Sequence, residues 1–261
     1  MYKKDEIQGI PVRGQESTHL TLVNNGKGSK YVGRRLKILF FHNTLPEYRI
    51  GWFEELSRLA DVQFVFTNES LNKKNYGFDI DYECAADLKY KFLAEGKKGE
   101  RELDEILEKV ANYDFVELPP IDSLREVVCG KKIVRACKNK NVRMGYFWEK
   151  WEAPKDEQPV TRKIKNLILR VIPRSIYKNA DVIFAVGKKS REYFISNGIS
   201  EGKIRVIPDV SETPPCEYEN IRGKYGITAD KKIVMFMGRM MPQKGVRCLI
   251  KAFGSMKPEV R

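Results

Sequence analysis

No stretch of this 261-residue chain approaches the roughly 18 consecutive apolar residues that a membrane-spanning helix requires. The amino-terminal text MYKKDEIQGIPVRGQESTHL lacks the apolar centre of a secretory signal, so the chain reads as cytoplasmic. Its five cysteines (Cys84, Cys129, Cys137, Cys216 and Cys248) are odd in number and contain no C-x-x-C pair. Neither a disulfide framework nor a zinc site is indicated, and most of these thiols are expected to be small buried apolar groups. Neither G-x-G-x-x-G after a strand nor G-x-x-x-x-G-K-[ST] occurs, which discounts a Rossmann oxidoreductase and a P-loop enzyme. The D-x-D spacing Asp79-Ile80-Asp81 is not read as a metal site, and no metal or other cofactor is expected.

What is present is a globular composition, 42% hydrophobic, with a formal charge of +13. The charge is uneven. Residues 1–130 hold 19 Lys and Arg against 22 Asp and Glu, a net of −3, and residues 131–261 hold 29 against 13, a net of +16. An excess confined to one half points to an anionic partner: a phosphate-bearing substrate, an anionic membrane or nucleic acid. Nucleic acid is disfavoured, because no RNP motif, zinc-finger spacing or basic zipper is found.

Residues 1–34 have few apolar residues and no sustained period, and are expected to be a flexible arm. From Leu36 the pattern alternates. KILFFHN reads as a strand, Tyr48 to Ala60 as a helix with Trp52, Phe53, Leu56 and Leu59 on one face, and VQFVFTN as the next strand. Lys89 to Leu93 gives a short strand, Arg101 to Asn112 a helix, DFVEL a strand, Ile121 to Asn139 a helix, and VRMGYFW a strand. Val182 to Val186, a helix around Arg191 to Ser196 and the strand Ile204 to Ile207 complete the alternation. Such an order predicts an α/β, Rossmann-like, doubly wound parallel sheet. Pro208, Pro214 and Pro215 mark a break, with Asp209, Ser211, Glu212 and Thr213 read as a polar linker. The expected organisation is therefore an arm (1–34), a Rossmann-like domain (35–213) and the opening of a second one (214–261), beginning with a helix about Tyr218 to Tyr225.

In that last segment the run Ile233 to Met237 suits a buried strand, and Val246, Leu249, Ile250 and Phe253 recur at helical spacing. Gly238, Arg239 and Lys244 then lie between a strand's carboxyl end and a helix's amino end, where an anion is favoured, a diphosphate above all. Gly238 permits close backbone approach, Arg239 forks two oxygens, and Lys244 adds a mobile charge. A separate helix candidate, 159–172, has an apolar stripe (Ile164, Leu167, Ile168, Val171, Ile172) opposite Arg162, Lys163, Lys165 and Arg170, with Leu169 among the basic residues. It reads either as a surface helix packed on the sheet or as a contact with an anionic bilayer, placing the protein peripherally on the inner face of the cytoplasmic membrane.

The core Gly238-Arg239-Met240-Met241-Pro242-Gln243-Lys244-Gly245 resembles the G-R-x-x-x-x-K-G loop of GT-B glycosyltransferases of family 4, which retain configuration and use nucleotide-sugars. The upstream blocks Ala180 to Gly187 and Lys203 to Asp209 resemble the same family in order and spacing. The resemblance implies a nucleotide-diphosphate sugar as co-substrate, bound through Gly238, Arg239 and Lys244 on the second domain, and a glycan or lipid-linked acceptor on the first, with chemistry in the cleft between. It places His42, Tyr48 and Arg49 on the acceptor side, in a loop lacking the family's frequent Gly-Gly. Trp148 stands where many members carry histidine, so no proton exchange is expected there, and Glu149 and Glu152 are the remaining candidates near the reacting centre. The family's E-x7-E pair lies beyond Arg261, so the chain is expected to be truncated and weakly active or inactive. The competing reading is a non-catalytic basic module that binds an anionic membrane or nucleic acid.

Overall fold

The computed structural model describes residues 21–24, 29–32, 34–71, 73, 82–121, 123–149, 172–210, 219–238, 240 and 244–256. The chain divides into two compact units, Met1–Glu212 and Thr213–Arg261. Among the described residues no helix is long and apolar enough to cross a membrane.

Within the segment read as a flexible arm, β1 (Thr21–Asn24) and β2 (Ser29–Val32) pair as an antiparallel hairpin. The body of the first unit then runs β3 (Lys37–His42), a 3-10 turn (Glu47–Arg49), α1 (Ile50–Leu59), β4 (Asp61–Phe66), β5 (Tyr90–Phe92), α2 (Gly96–Glu108) and β6 (Phe115–Leu118). It continues through α3 (Leu124–Lys140), β7 (Arg143–Trp148), a helical stretch over 172–177, β8 (Val182–Ala185), α4 (Lys188–Ser196) and β9 (Ile204–Val206). The seven strands from β3 onward form one sheet, in the order β5-β4-β3-β6-β7-β8-β9, parallel at every pairing. This is the doubly wound Rossmann-like sheet that the alternating pattern predicts.

Side-chain alternation builds the two layers. Along β3 and β4, Leu39, Phe41 and Val65 enter one core with Leu103 and Leu107 of α2 and Ile133 and Cys137 of α3. Phe40, Val62, Phe64 and Phe66 enter the other, beneath Ile50 and Phe53 of α1. Successive strand residues point to opposite faces, so an apolar run with no polar break can supply both cores. The Phe53 ring lies 4.8 Å from Phe64, 5.8 Å from Phe40 and 5.9 Å from Phe66, which fixes where α1 begins and hence where the preceding turn delivers Arg49.

Local signals set the ends of α3. Ser123 accepts from the Glu126 N–H, as expected of the text S-L-R-E, and Asn141 closes the helix at φ 55° while the Val142 N–H returns to the Cys137 carbonyl at 2.9 Å. Cys129 and Cys137 are buried on α3, and burial pushes the Cys137 thiol up to about 12. Cys84 and Cys248 are exposed, against the expectation of burial.

In the second unit α5 (Ile221–Lys224) is shorter than the helix expected over Tyr218 to Tyr225, starting where the Asn220 side chain accepts from the Gly223 N–H at 3.0 Å. The expected strand Ile233 to Met237 forms no ladder, and Met235 and Met237 are 71% and 88% exposed. An apolar run becomes a strand only through hydrogen bonds to a neighbour, and among the described residues of this unit none is available. Helix α6 (Val246–Gly254) forms where the 3.6-residue period places it.

Candidate functional site

In a parallel sheet every strand delivers its carboxyl end to the same edge, and the order here reverses at β3, whose neighbours are β4 on one side and β6 on the other. The crevice at such a reversal is where open α/β sheets bind ligands. Three distant chain segments meet along this edge: the turn after β3, the end of β7, 100 residues on from Arg49, and the residues after β9, 160 residues on from it.

Arg49 is the centre of that meeting. Its side chain is 3% exposed, and its Nη2 donates to Glu149 Oε1 at 2.7 Å and to Asp209 Oδ2 at 3.1 Å. The guanidinium lies 5.1 Å from the Phe147 ring centroid and 5.6 Å from that of Tyr48, so its other faces are apolar. One buried cation can balance one carboxylate, and here it meets two. Burial, then the hydrogen bond and charge of Asp209, raise the Glu149 pKa above its ordinary value, with Arg49 opposing. Glu149 therefore holds its proton to higher pH than an isolated glutamate would, the arrangement from which acid–base chemistry is drawn.

His42, at the end of β3, is buried beside this group. Thr44 O can only accept, so the 2.9 Å contact requires the proton on Nδ1 and leaves Nε2 an acceptor with no hydrogen-bond partner among the described residues. Burial, then the Arg49 charge, lower its pKa to about 3, and the ring is neutral at physiological pH. It packs edge-on to Trp148 at 6.3 Å and to Phe53 at 6.2 Å. The end of β7 is tied down in turn by Ser190 of α4, whose Oγ donates to the Trp148 carbonyl at 3.3 Å.

No protein-family model matches the sequence, and no curated protein matches it. Among solved structures the chain is similar to HepE of Anabaena. For the complex with UDP-glucose the TM-score is 0.54 at 14% identity, covering 86% of this chain and 58% of HepE. For the complex with UDP the TM-score is 0.55 at 14% identity, covering 85% and 58%. For the complex with UDP and glucose it is 0.53 at 15% identity, covering 86% and 59%. What the two proteins share is a fold. The chain spans less than two thirds of the length of HepE.

Of the residues singled out in the sequence, His42, Tyr48, Arg49, Trp148 and Glu149 are brought together on the first unit. Gly238 and Lys244 belong to the second. There Gly238 adopts φ 149°, a conformation favouring glycine, and Lys244 is exposed just before Gly245 (φ 72°) and α6. Arg239, Glu152 and the basic-helix residues Arg162, Lys163, Lys165, Leu169 and Arg170 lie outside the described residues.

Two residues of the site were not recognised in the sequence. Asp209 falls in the segment expected to be a polar linker, yet it stands three residues beyond β9, where a parallel strand delivers its chain to the crevice. Glu117 was hidden inside the strand text DFVEL. It is fully buried in β6, its Oε1 accepts from the Phe147 N–H, and burial raises its pKa well above the carboxylate range. A lone glutamate within an apolar run was the available signal for it.

Proposed function

We propose that this chain carries the acceptor side and the donor-phosphate loop of a GT-B glycosyltransferase of the family 4 type. Such an enzyme moves a sugar from a nucleotide-diphosphate sugar to a glycan or lipid-linked acceptor with retention of configuration. The observation that carries the reading is the Arg49–Glu149–Asp209 group at the carboxyl edge of a doubly wound sheet. It is supported by the fold likeness to HepE, which has been solved with UDP-glucose, and by the Gly238–Lys244 sequence pattern.

In this mechanism the bond from the sugar's anomeric carbon to the diphosphate oxygen breaks, and a bond from that carbon to the acceptor oxygen forms on the same face. The acceptor's proton passes to the departing diphosphate, so no protein base is required. Glu149 and Asp209 accept hydrogen bonds from acceptor hydroxyls and orient them, Trp148 supplies an aromatic face to a sugar ring, and Arg49 fixes the geometry of both carboxyls. Arg239 and Lys244 stabilise the charge that develops on the leaving group.

Calorimetric titration of residues 1–261 with UDP-glucose tests the reading. Binding is expected, weakened about 10- to 100-fold by Arg239→Ala or Lys244→Ala, as the loss of a charge-assisted hydrogen bond implies, and unchanged by EDTA. Failure of UDP- and GDP-sugars alike to bind, or binding indifferent to Arg239 and Lys244, sinks the proposal. Loss of binding in EDTA refutes its metal-free form.

A further inference from the structure

A cavity of about 400 Å³ opens beyond the ends of β4 and β5, within the range usual for small-ligand sites. Its lining includes Glu69, Ser70, Lys73, Tyr82, Glu95 and Arg125. It is continuous through hydrogen bonds with the loop that leads to Arg49. The Thr67 N–H donates to the His42 carbonyl at 2.9 Å, the Asn68 N–H to the Asn43 carbonyl at 2.7 Å, and Ser70 Oγ to Asn68 Oδ1 at 3.1 Å. The cavity wall and the candidate site are therefore parts of one bonded edge.

The chemistry of the lining is specific in kind. Tyr82 is 44% exposed, its ring held by stacking on Tyr90 at 6.5 Å and edge-on contact with Phe92 at 6.2 Å, and its hydroxyl is tied to Glu69. It is thus a fixed aromatic surface. Arg125 is immobilised by bonds from Nη2 to the Ala94 carbonyl at 2.7 Å and the Leu93 carbonyl at 3.3 Å. Among the described lining residues two carboxylates, Glu69 and Glu95, stand with two cations, Lys73 and Arg125, so neither charge sign prevails there. A neutral ligand with many hydroxyls meets acceptors at Glu69 and Glu95, donors at Lys73 and Arg125, and both at Ser70. A ring with an apolar C–H face complements Tyr82.

We propose that this cavity binds a neutral sugar residue of the acceptor glycan, a role that rests on the glycosyl-transfer reading above. The glycan then extends along the sheet edge, its reacting hydroxyl at Arg49, Glu149 and Asp209 and a residue several sugars away over Tyr82, since β5 and β7 lie four strand spacings, roughly 19 Å, apart. Oligosaccharide acceptors are preferred over a single sugar for this reason.

Saturation-transfer NMR with cellobiose and with maltose on the full chain reads the site directly. Transfer to ring protons is expected for at least one disaccharide. It is expected to weaken about fivefold in Tyr82→Leu, as the loss of an aromatic contact implies, and to persist in Tyr82→Phe. Melting temperatures of the variants control for folding. No transfer from either disaccharide, transfer unaltered in Tyr82→Leu, or transfer from glucuronate alone overturns the assignment. Parallel titration with UDP-glucose separates the two readings. Disaccharide binding without nucleotide-sugar binding keeps the sugar site and removes its acceptor role, whereas the converse removes the sugar site and leaves glycosyl transfer standing.

Discussion

Arg49→Met lowers the stability of the chain by about 3 kcal/mol, the low end of the range for breaking a buried ion pair, because both carboxyls retain contact with water. For a unit of this size that is a fall in melting temperature of about 10 °C. The methionine fills much of the space over Phe147, so the loss reports the unpaired charge rather than a cavity. Two titrations accompany it. Arg49 is a lowering influence on both Glu149 and His42, so its removal raises both pKa values. His42 remains depressed, since burial is the larger cause, and its ring resonance in NMR follows the change directly. If the chain turns over nucleotide-sugar, kcat falls about 100-fold with KM nearly unchanged, the split expected when a group orients the reacting hydroxyl rather than binds donor. A variant that melts like the parent, with an unmoved His42 titration, shows that Arg49 does not organise the site.

The parts of this architecture legible in the sequence are those governed by short-range pattern. Phe40, Phe64 and Phe66 on one face of the sheet and Leu39, Phe41 and Val65 on the other follow from a period of two, and α3 forms within about three residues of the expected Ile121 to Asn139, its ends set by Ser123 and Asn141. Arg49 is legible from its place between a strand's end and a helix's start, and Glu149 through the resemblance, since it follows the position where many members of the family carry histidine. Their pairing is not, since the two lie 100 residues apart and their contact depends on the order of strands. Asp209, 160 residues from Arg49, looked like a linker residue for the same reason. The run Ile233 to Met237 shows the opposite limit, where strand propensity is plain and no ladder forms without a neighbour.

Glu117→Gln is expected to stabilise the chain at neutral pH and to erase a pH dependence the parent carries. The reason lies at the end of β6. Its ladder with β7 stops at Leu118 against Tyr146, Pro119 and Pro120 follow, and the Phe147 N–H is taken up by the Glu117 carboxyl instead. The space is closed, because a Cβ on Gly145 would stand 2.4 Å from Glu117 Oε2 and 2.4 Å from the Phe115 ring. Gly145→Ala therefore costs about 3 kcal/mol by overpacking. In so dry a place the carboxyl keeps its proton, and its folded pKa lies well above the unfolded value. The sign follows: the stability is fully present below the unfolded pKa of about 4.5, and falls as pH rises until the folded pKa is passed. Across that window the parent loses about 1.4 kcal/mol per pH unit relative to Glu117→Gln, whose amide oxygen still accepts from Phe147 and whose NH2 replaces the acid hydroxyl. Urea melts of both proteins at pH 5, 6, 7 and 8 measure the divergence, and parallel curves would mean that Glu117 is ionised or reached by water. Because Phe147 carries the Arg49 guanidinium on its ring, the Glu117 oxygen that accepts from the Phe147 N–H also holds the floor of the candidate site in place.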